Sequence, residues 1–155
     1  MFKFNIYLPQ IEKSTAQKIQ HADSVPEGNE SILFVDDDKS LVHLGKRMLE
    51  RFGYKVMTKT SSTEALEIFC SEPDKFDLVI TDQTMPDMTG MEFAGELLYI
   101  RPDIPIILMT GFSETVTPEI AKEMGIRKYI MKPVILHDLA KAVRQVLNSK
   151  DEKEI

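Results

Sequence analysis

The sequence predicts an α/β fold: a doubly wound parallel sheet of five strands in the order 2-1-3-4-5. Two patterns carry that expectation. From residue 31 onward, short apolar runs alternate five times with helical stripes, the rhythm of strand–helix–strand units; right-handed crossovers leave few strand orders open. Two of the runs, "SILFVDDD" (31–38) and "FDLVITD" (76–82), end in carboxylates. In an open parallel sheet the carboxyl ends of the strands face one crevice, and ligands bind there.

Strands are expected at residues 31–35, 54–58, 77–81, 105–109 and 128–130. Leu41, Leu44, Met48 and Phe52 form the first helical stripe, and Ala65, Ile68 and Phe69 the second. Met91, Ala94, Leu97 and Leu98 form the third. Val116, Ile120 and Met124 make a weaker fourth, with Pro118 in its first turn. Leu136, Leu139, Ala140, Val143 and Leu147 form the fifth and clearest. All five stripes are read as core-facing. Residues 1–30 stand apart. Phe2, Phe4, Ile6 and Leu8 alternate with Lys3, Asn5 and Tyr7, a period-two strand stopped by Pro9. "QKIQHADSVPEGNE" then reads as a linker. Residues 149–155 form a charged tail expected to fray.

The bulk numbers exclude several classes. At 155 residues the chain is one domain and a little more. A net charge of -6 argues against a general nucleic-acid binder, which needs clustered Lys and Arg. The single cysteine, Cys70, has no partner for an internal disulfide; it fits a reducing compartment and, lying on an apolar helical pattern, is expected to be buried and inert. No stretch is long and apolar enough to cross a bilayer, and "MFKFNIYLPQ" lacks the features of a signal peptide. The expectation is a cytoplasmic protein without direct membrane contact.

Asp36, Asp37 and Asp38 close the first strand. Asp38 is read as a helix N-cap, whereas Asp36 and Asp37 sit earlier and are candidate metal ligands. Asp82 closes the third strand; near the first two acids it would be an exposed carboxylate on a metal, able to act as a nucleophile. Carboxylates crowded in this way repel one another unless a cation joins them, and a hard divalent ion with oxygen ligands is the natural solution. Asp87, in the loop punctuated by Pro86 and Gly90, is turn chemistry. Thr110 and Gly111 end the fourth strand; the hydroxyl could donate to a phosphoryl oxygen, with Gly111 leaving room for the group. Lys132, ahead of Pro133, would face the carboxylates and any bound phosphate.

The motifs "ILFVDDD", "DLVITDQTMPDMTG", "PIILMTG" and "YIMKP", in order across residues 31–148, resemble the receiver domains of two-component response regulators. That resemblance implies a flavodoxin-like fold in which Asp82 is the phosphoacceptor in a His-to-Asp phosphorelay. It implies Mg²⁺ held by Asp36, Asp37, Asp82 and the Thr84 carbonyl, with Asp36 acting mostly through water. It makes Lys132 the phosphate-contacting lysine, Thr110 the switch hydroxyl and Tyr129 the switch aromatic. It further implies a cis Lys132–Pro133 bond, an output face between the fourth helix and fifth strand, and a phosphohistidine-bearing kinase or phosphotransfer domain as partner. Such a domain catalyses only its own phosphorylation and dephosphorylation. Thr84 and Phe112 match rate-tuning positions, and a bulky Phe112 would shield the acyl phosphate. "FKFNIYLP" also resembles the last strand of a histidine-kinase ATP-binding domain, and "DQTMPDMTG" and "TGFSE" look like receivers fused to hybrid sensor kinases. His21, His43 and His137 are scattered and have no pattern of a phosphate carrier.

Two other readings compete. A Mg²⁺-dependent phosphatase resembling the haloacid dehalogenase family would use "LFVDDDKS", with Asp36 as nucleophile and Asp38 as acid. It leaves the Asp82 motif unexplained and finds only Asp138 where a further acidic pair is needed. A receiver fold that no longer accepts phosphate would be expected to lack an acid or the lysine, and all are present. The strand at 2–8 could lie on the sheet edge, pair with a second copy or stay disordered, which leaves the oligomeric state open.

Overall fold

Residues 27–111 and 116–154 are described in the structure, a computed structural model, with side chains to residue 149. The strand expected at 2–8, most of the linker, His21 and Phe112 lie outside the described residues. The apolar runs form strands β1 (Ser31–Val35), β2 (Lys55–Lys59), β3 (Leu78–Asp82), β4 (Ile106–Thr110) and β5 (Lys128–Met131). They make one parallel sheet in the order β2-β1-β3-β4-β5, as the alternating pattern predicts. Every residue of β3 and β4 is buried, whereas β2 and β5, at the edges, are partly open.

Five helices cover the two faces: α1 (Lys39–Arg51), α2 (Ser62–Ser71), α3 (Gly90–Ile100), α4 (Pro118–Met124) and α5 (Leu136–Glu154). Local chemistry fixes where they begin. Asp38 accepts hydrogen bonds from the N–H groups of Ser40 and Leu41, and Ser61 and Thr117 cap α2 and α4 in the same way. Thr89 and Glu92 form a reciprocal capping box at the start of α3. Each such cap is worth about 1 kcal/mol. Pro118 sits in the first turn of α4, as expected. One core layer joins Ile32, Phe34, Leu78 and Ile80 to Val42, Leu49, Leu139, Val143 and Leu147 of α1 and α5. The other joins Leu33, Val35, Val79 and Leu108 to Phe69, Phe93, Leu97 and Ala121 of α2, α3 and α4.

Three expectations are corrected. Leu44 is 51% exposed. The inward line of α1 runs through Val42, Gly45 and Leu49, because Gly45 packs on the Phe34 ring. Ile120 is 46% exposed, and Ala121 is the inward residue of the short α4. Cys70 is exposed, one helical step away from buried Phe69. The backbone of α5 runs on through residues 149–154; Lys and Glu are good helix formers.

At the amino end of the sheet the last linker residues are tied down. The Gly28 N–H donates to the Phe52 carbonyl at 2.9 Å and the Lys55 N–H to the Glu30 carbonyl at 2.9 Å. The Arg144 guanidinium grips both Glu30 oxygens, at 2.8 and 3.3 Å, and reaches the Tyr54 hydroxyl at 3.3 Å. Burial works to raise Glu30, yet the hydrogen bond and charge of Arg144 hold its carboxyl below the usual range. Gly53 turns the chain between α1 and β2 with φ of 99°. A Cβ there would stand 2.2 Å from the Gly28 carbonyl oxygen. Gly53→Ala is therefore expected to lower stability by about 1–3 kcal/mol; urea unfolding measures this, and an unchanged midpoint would contradict the strained-turn reading.

Candidate functional site

The topology brings the acids together. β1 pairs directly with β3, Val35 opposite Thr81, so Asp36 and Asp82 emerge side by side at the carboxyl edge. This is where strand order reverses in a doubly wound sheet, the place where ligands bind. Asp36 is fully buried, Asp82 is 3% exposed and Asp37 is open to solvent. The burial of Asp82 corrects the expectation of an exposed carboxylate: β3 is central, and neighbouring strands flank its end.

Lys132 holds the pair. Its Nζ lies 3.0 Å from Asp36 Oδ2 and 3.1 Å from Asp82 Oδ1. β4 separates β5 from β3. With strands about 4.8 Å apart, the Lys132 backbone is about 10 Å from that of β3, a gap for a long side chain. The Lys132 N–H donates to the Thr110 carbonyl at 2.7 Å, and the Lys132–Pro133 bond is cis, as the resemblance implies. Asp36 Oδ1 accepts from the Asp38 N–H at 2.9 Å, so both Asp36 oxygens are engaged.

Three carboxylates face one ammonium, and the electrostatics follow. Burial, and then the charge of Asp36, push Asp82 up to about 6, with Lys132 only partly offsetting them. Burial also raises Asp36, against the Asp38 N–H and Lys132. Burial works to lower Lys132, but the two carboxylates outweigh it and hold the ammonium above its ordinary range. One carboxylate oxygen each from Asp36, Asp37 and Asp82 lie within 4.8 Å of one another. An all-oxygen, net-negative set of this kind suits a hard divalent cation, so the residues present fit a metal.

The other expected residues lie around this centre. Thr110 ends β4 and is fully buried; among the described residues its Oγ1 has no hydrogen-bond partner. Thr84 is exposed in the loop two residues past Asp82. Tyr129 on β5 is half-buried against the core layer of α2, α3 and α4, and its hydroxyl donates to the Val116 carbonyl at 2.8 Å. Asp87 lies apart from the centre, 3.4 Å from the Ser61 hydroxyl. Sequence reasoning passed over Gln83, which is 8% exposed and accepts from the Met91 N–H through Oε1 at 2.8 Å. Its only sequence signal is an amide immediately after a buried strand.

Residues 32–144 match the response regulator receiver domain family. The chain belongs to that family. A receiver domain protein from Clostridium thermocellum is 35% identical, with a TM-score of 0.74 over 79% of this chain and 98% of that one. A CheY-like receiver from Methanospirillum hungatei is 30% identical, also with a TM-score of 0.74, over 81% and 99%. Among curated relatives, a two-component response regulator of Arabidopsis thaliana is 32% identical over 89% of this chain. This receiver spans about a quarter of that relative, 25% of its length. The phosphatase reading gains no support. Its nucleophile, Asp36, is buried with both oxygens engaged, and its acid, Asp38, serves as the α1 cap.

The charge imbalance makes metal-free stability pH-dependent. A carboxyl at about 6 when folded, against an ordinary 3.8, binds its proton more tightly in the folded state. Stability from Asp82 is then fullest below about pH 4 and declines as pH rises toward 6, by about 1–3 kcal/mol. Asp82→Asn removes that decline. In EDTA, the melting temperature of Asp82→Asn relative to wild type should rise between pH 4 and pH 6.5; a difference independent of pH would contradict this account.

Proposed function

We propose that this receiver takes a phosphoryl group from a phosphohistidine onto Asp82 and reports it through Thr110 and Tyr129. The observation that carries the reading is the shared grip of Lys132 on Asp36 and Asp82 at the β1–β3 crevice. Bound Mg²⁺, held by Asp37, Asp82 and the Thr84 carbonyl with Asp36 acting through water, would neutralise the carboxylates and the charge on the transferring phosphoryl group.

The chain's own residues do the rest. An Asp82 oxygen forms a bond to phosphorus as the phosphorus–nitrogen bond to the donor imidazole breaks. The imidazole leaves with the electron pair and takes up a proton from solvent. Lys132 exchanges its Asp82 contact for a phosphoryl oxygen and stays anchored on Asp36. Water later hydrolyses the acyl phosphate, so the domain turns over only its own phosphorylated side chain.

The buried Thr110 hydroxyl supports the switching role. An unsatisfied buried hydroxyl costs about 1–3 kcal/mol, and a hydrogen bond to a charged acceptor contributes about 1.5–3 kcal/mol. Moving a two-state equilibrium from 1:99 to 99:1 takes about 5.5 kcal/mol. Thr110 therefore needs help from the Lys132 contact and from repacking at Tyr129, whose bond to Val116 ties it to the start of α4. We infer in addition that the segment ahead of residue 27 tethers the receiver to a kinase. Similarity to a sensor kinase of Brucella abortus, 30% identical over 96% of this chain, supports this. A parent reading frame with no kinase ATP-binding domain would overturn it.

Incubation with a phosphohistidine donor and Mg²⁺, followed by intact mass measurement, tests the acceptor. Wild type should gain one phosphoryl group and Asp82→Asn none. Turnover of p-nitrophenyl phosphate that requires Asp36 and not Asp82 would overturn the reading. Thr110→Ala should still gain the phosphoryl group while losing most of the phosphorylation-dependent amide shifts in α4 and β5. Loss of uptake would instead place Thr110 in the chemistry.

A further inference from the structure

We propose that Gln83 is a positioning residue for the acceptor site, acting through the loop that leaves Asp82. This rests on the acceptor reading of Asp82. Gln83 directly follows Asp82 and is held at three points. Its N–H donates to the Met109 carbonyl at 2.8 Å, extending the β3–β4 ladder one residue beyond Asp82. Its carbonyl accepts from the Gly90 N–H at 2.9 Å. Its side-chain Oε1 accepts from the Met91 N–H at 2.8 Å. The donor is a backbone N–H, so only the amide oxygen can meet it, which fixes the orientation of the amide.

Together these contacts close a loop. Residues 84–89 leave the sheet at Gln83 and return to it at Gly90 and Met91, the first residues of α3. Gly90 packs on the Asp82 peptide: a Cβ at Gly90 would stand 2.3 Å from the Asp82 carbonyl oxygen. The start of α3 therefore rests on the acceptor's own backbone, and Gln83 fastens it there. Asp82 and Gln83 point to opposite faces of the strand, as successive residues do, so Gln83 touches no reacting atom. It sets instead where the Asp82 peptide and the Thr84 carbonyl stand relative to Asp37. Thr89 and Glu92 already cap α3, so α3 does not need the Gln83 amide to form. Its added effect is to join the helix to the acceptor strand.

The expected consequence lies in cation affinity. Removing a group that orients a metal ligand typically weakens binding about 10–100-fold. Gln83→Met keeps the side-chain length and deletes the acceptor; Gln83→Glu restores an acceptor. With Mg²⁺ as the probe, isothermal titration of the full chain should show binding about tenfold weaker for Gln83→Met and within about threefold of wild type for Gln83→Glu. Phosphorylation by acetyl phosphate should slow in Gln83→Met at low Mg²⁺ and recover as Mg²⁺ is raised. A purely structural role would lower the melting temperature and leave Mg²⁺ affinity unchanged. Unchanged affinity in Gln83→Met, or no restoration by Gln83→Glu, overturns the positioning role while leaving the acceptor reading intact. Failure of the wild type to bind Mg²⁺, or phosphorylation that survives Asp82→Asn, overturns both.

Discussion

Everything at the carboxyl edge depends on one ammonium group placed between two buried carboxylates. Two like charges in a low-dielectric site cannot both stay ionised without compensation. Lys132 supplies part of it, at 3.0 and 3.1 Å, and leaves Asp82 still raised to about 6. The site is therefore under-neutralised by construction. That residual negative potential suits it to a divalent cation.

The opposite end of the sheet shows the contrast. There Glu30 meets Arg144 in a two-pronged ion pair, with the Tyr54 hydroxyl alongside. Charge is matched one to one, and the carboxyl is held below its usual range. At the carboxyl end Asp36 and Asp82 share a single lysine, and the buried Thr110 hydroxyl has no partner among the described residues. The same fold thus matches charge one to one at one end and leaves it unmatched at the other.

Between the two ends lies a close-packed apolar core. Every residue of β3 and β4 is buried, and α3 rests on the Asp82 peptide through Gly90. Tyr129 connects β5 to the approach of α4 through Val116. A change at the Asp82 carboxylate therefore meets close-packed neighbours on β1, β4, α3 and β5. Such packing shifts between discrete arrangements more readily than it deforms smoothly.

The fold was legible because each strand and cap carries its own local signal. Apolar runs mark the strands, and Asp38 marks the start of α1, from nearest-neighbour chemistry alone. Asp36, Asp37, Asp82, Thr110 and Lys132 were legible because they stand at strand ends, and a parallel sheet gathers strand ends on one edge. The burial of Asp82, the exposure of Leu44 and Cys70, the Glu30–Arg144 pair and the three-point hold on Gln83 were not. Each depends on which side of an element faces its neighbour, or on a partner distant in sequence: Arg144 is 114 residues from Glu30. Periodicity fixes that a helix has an inner face. Only packing in three dimensions decides which residues form it, and only there do separated polar groups find one another.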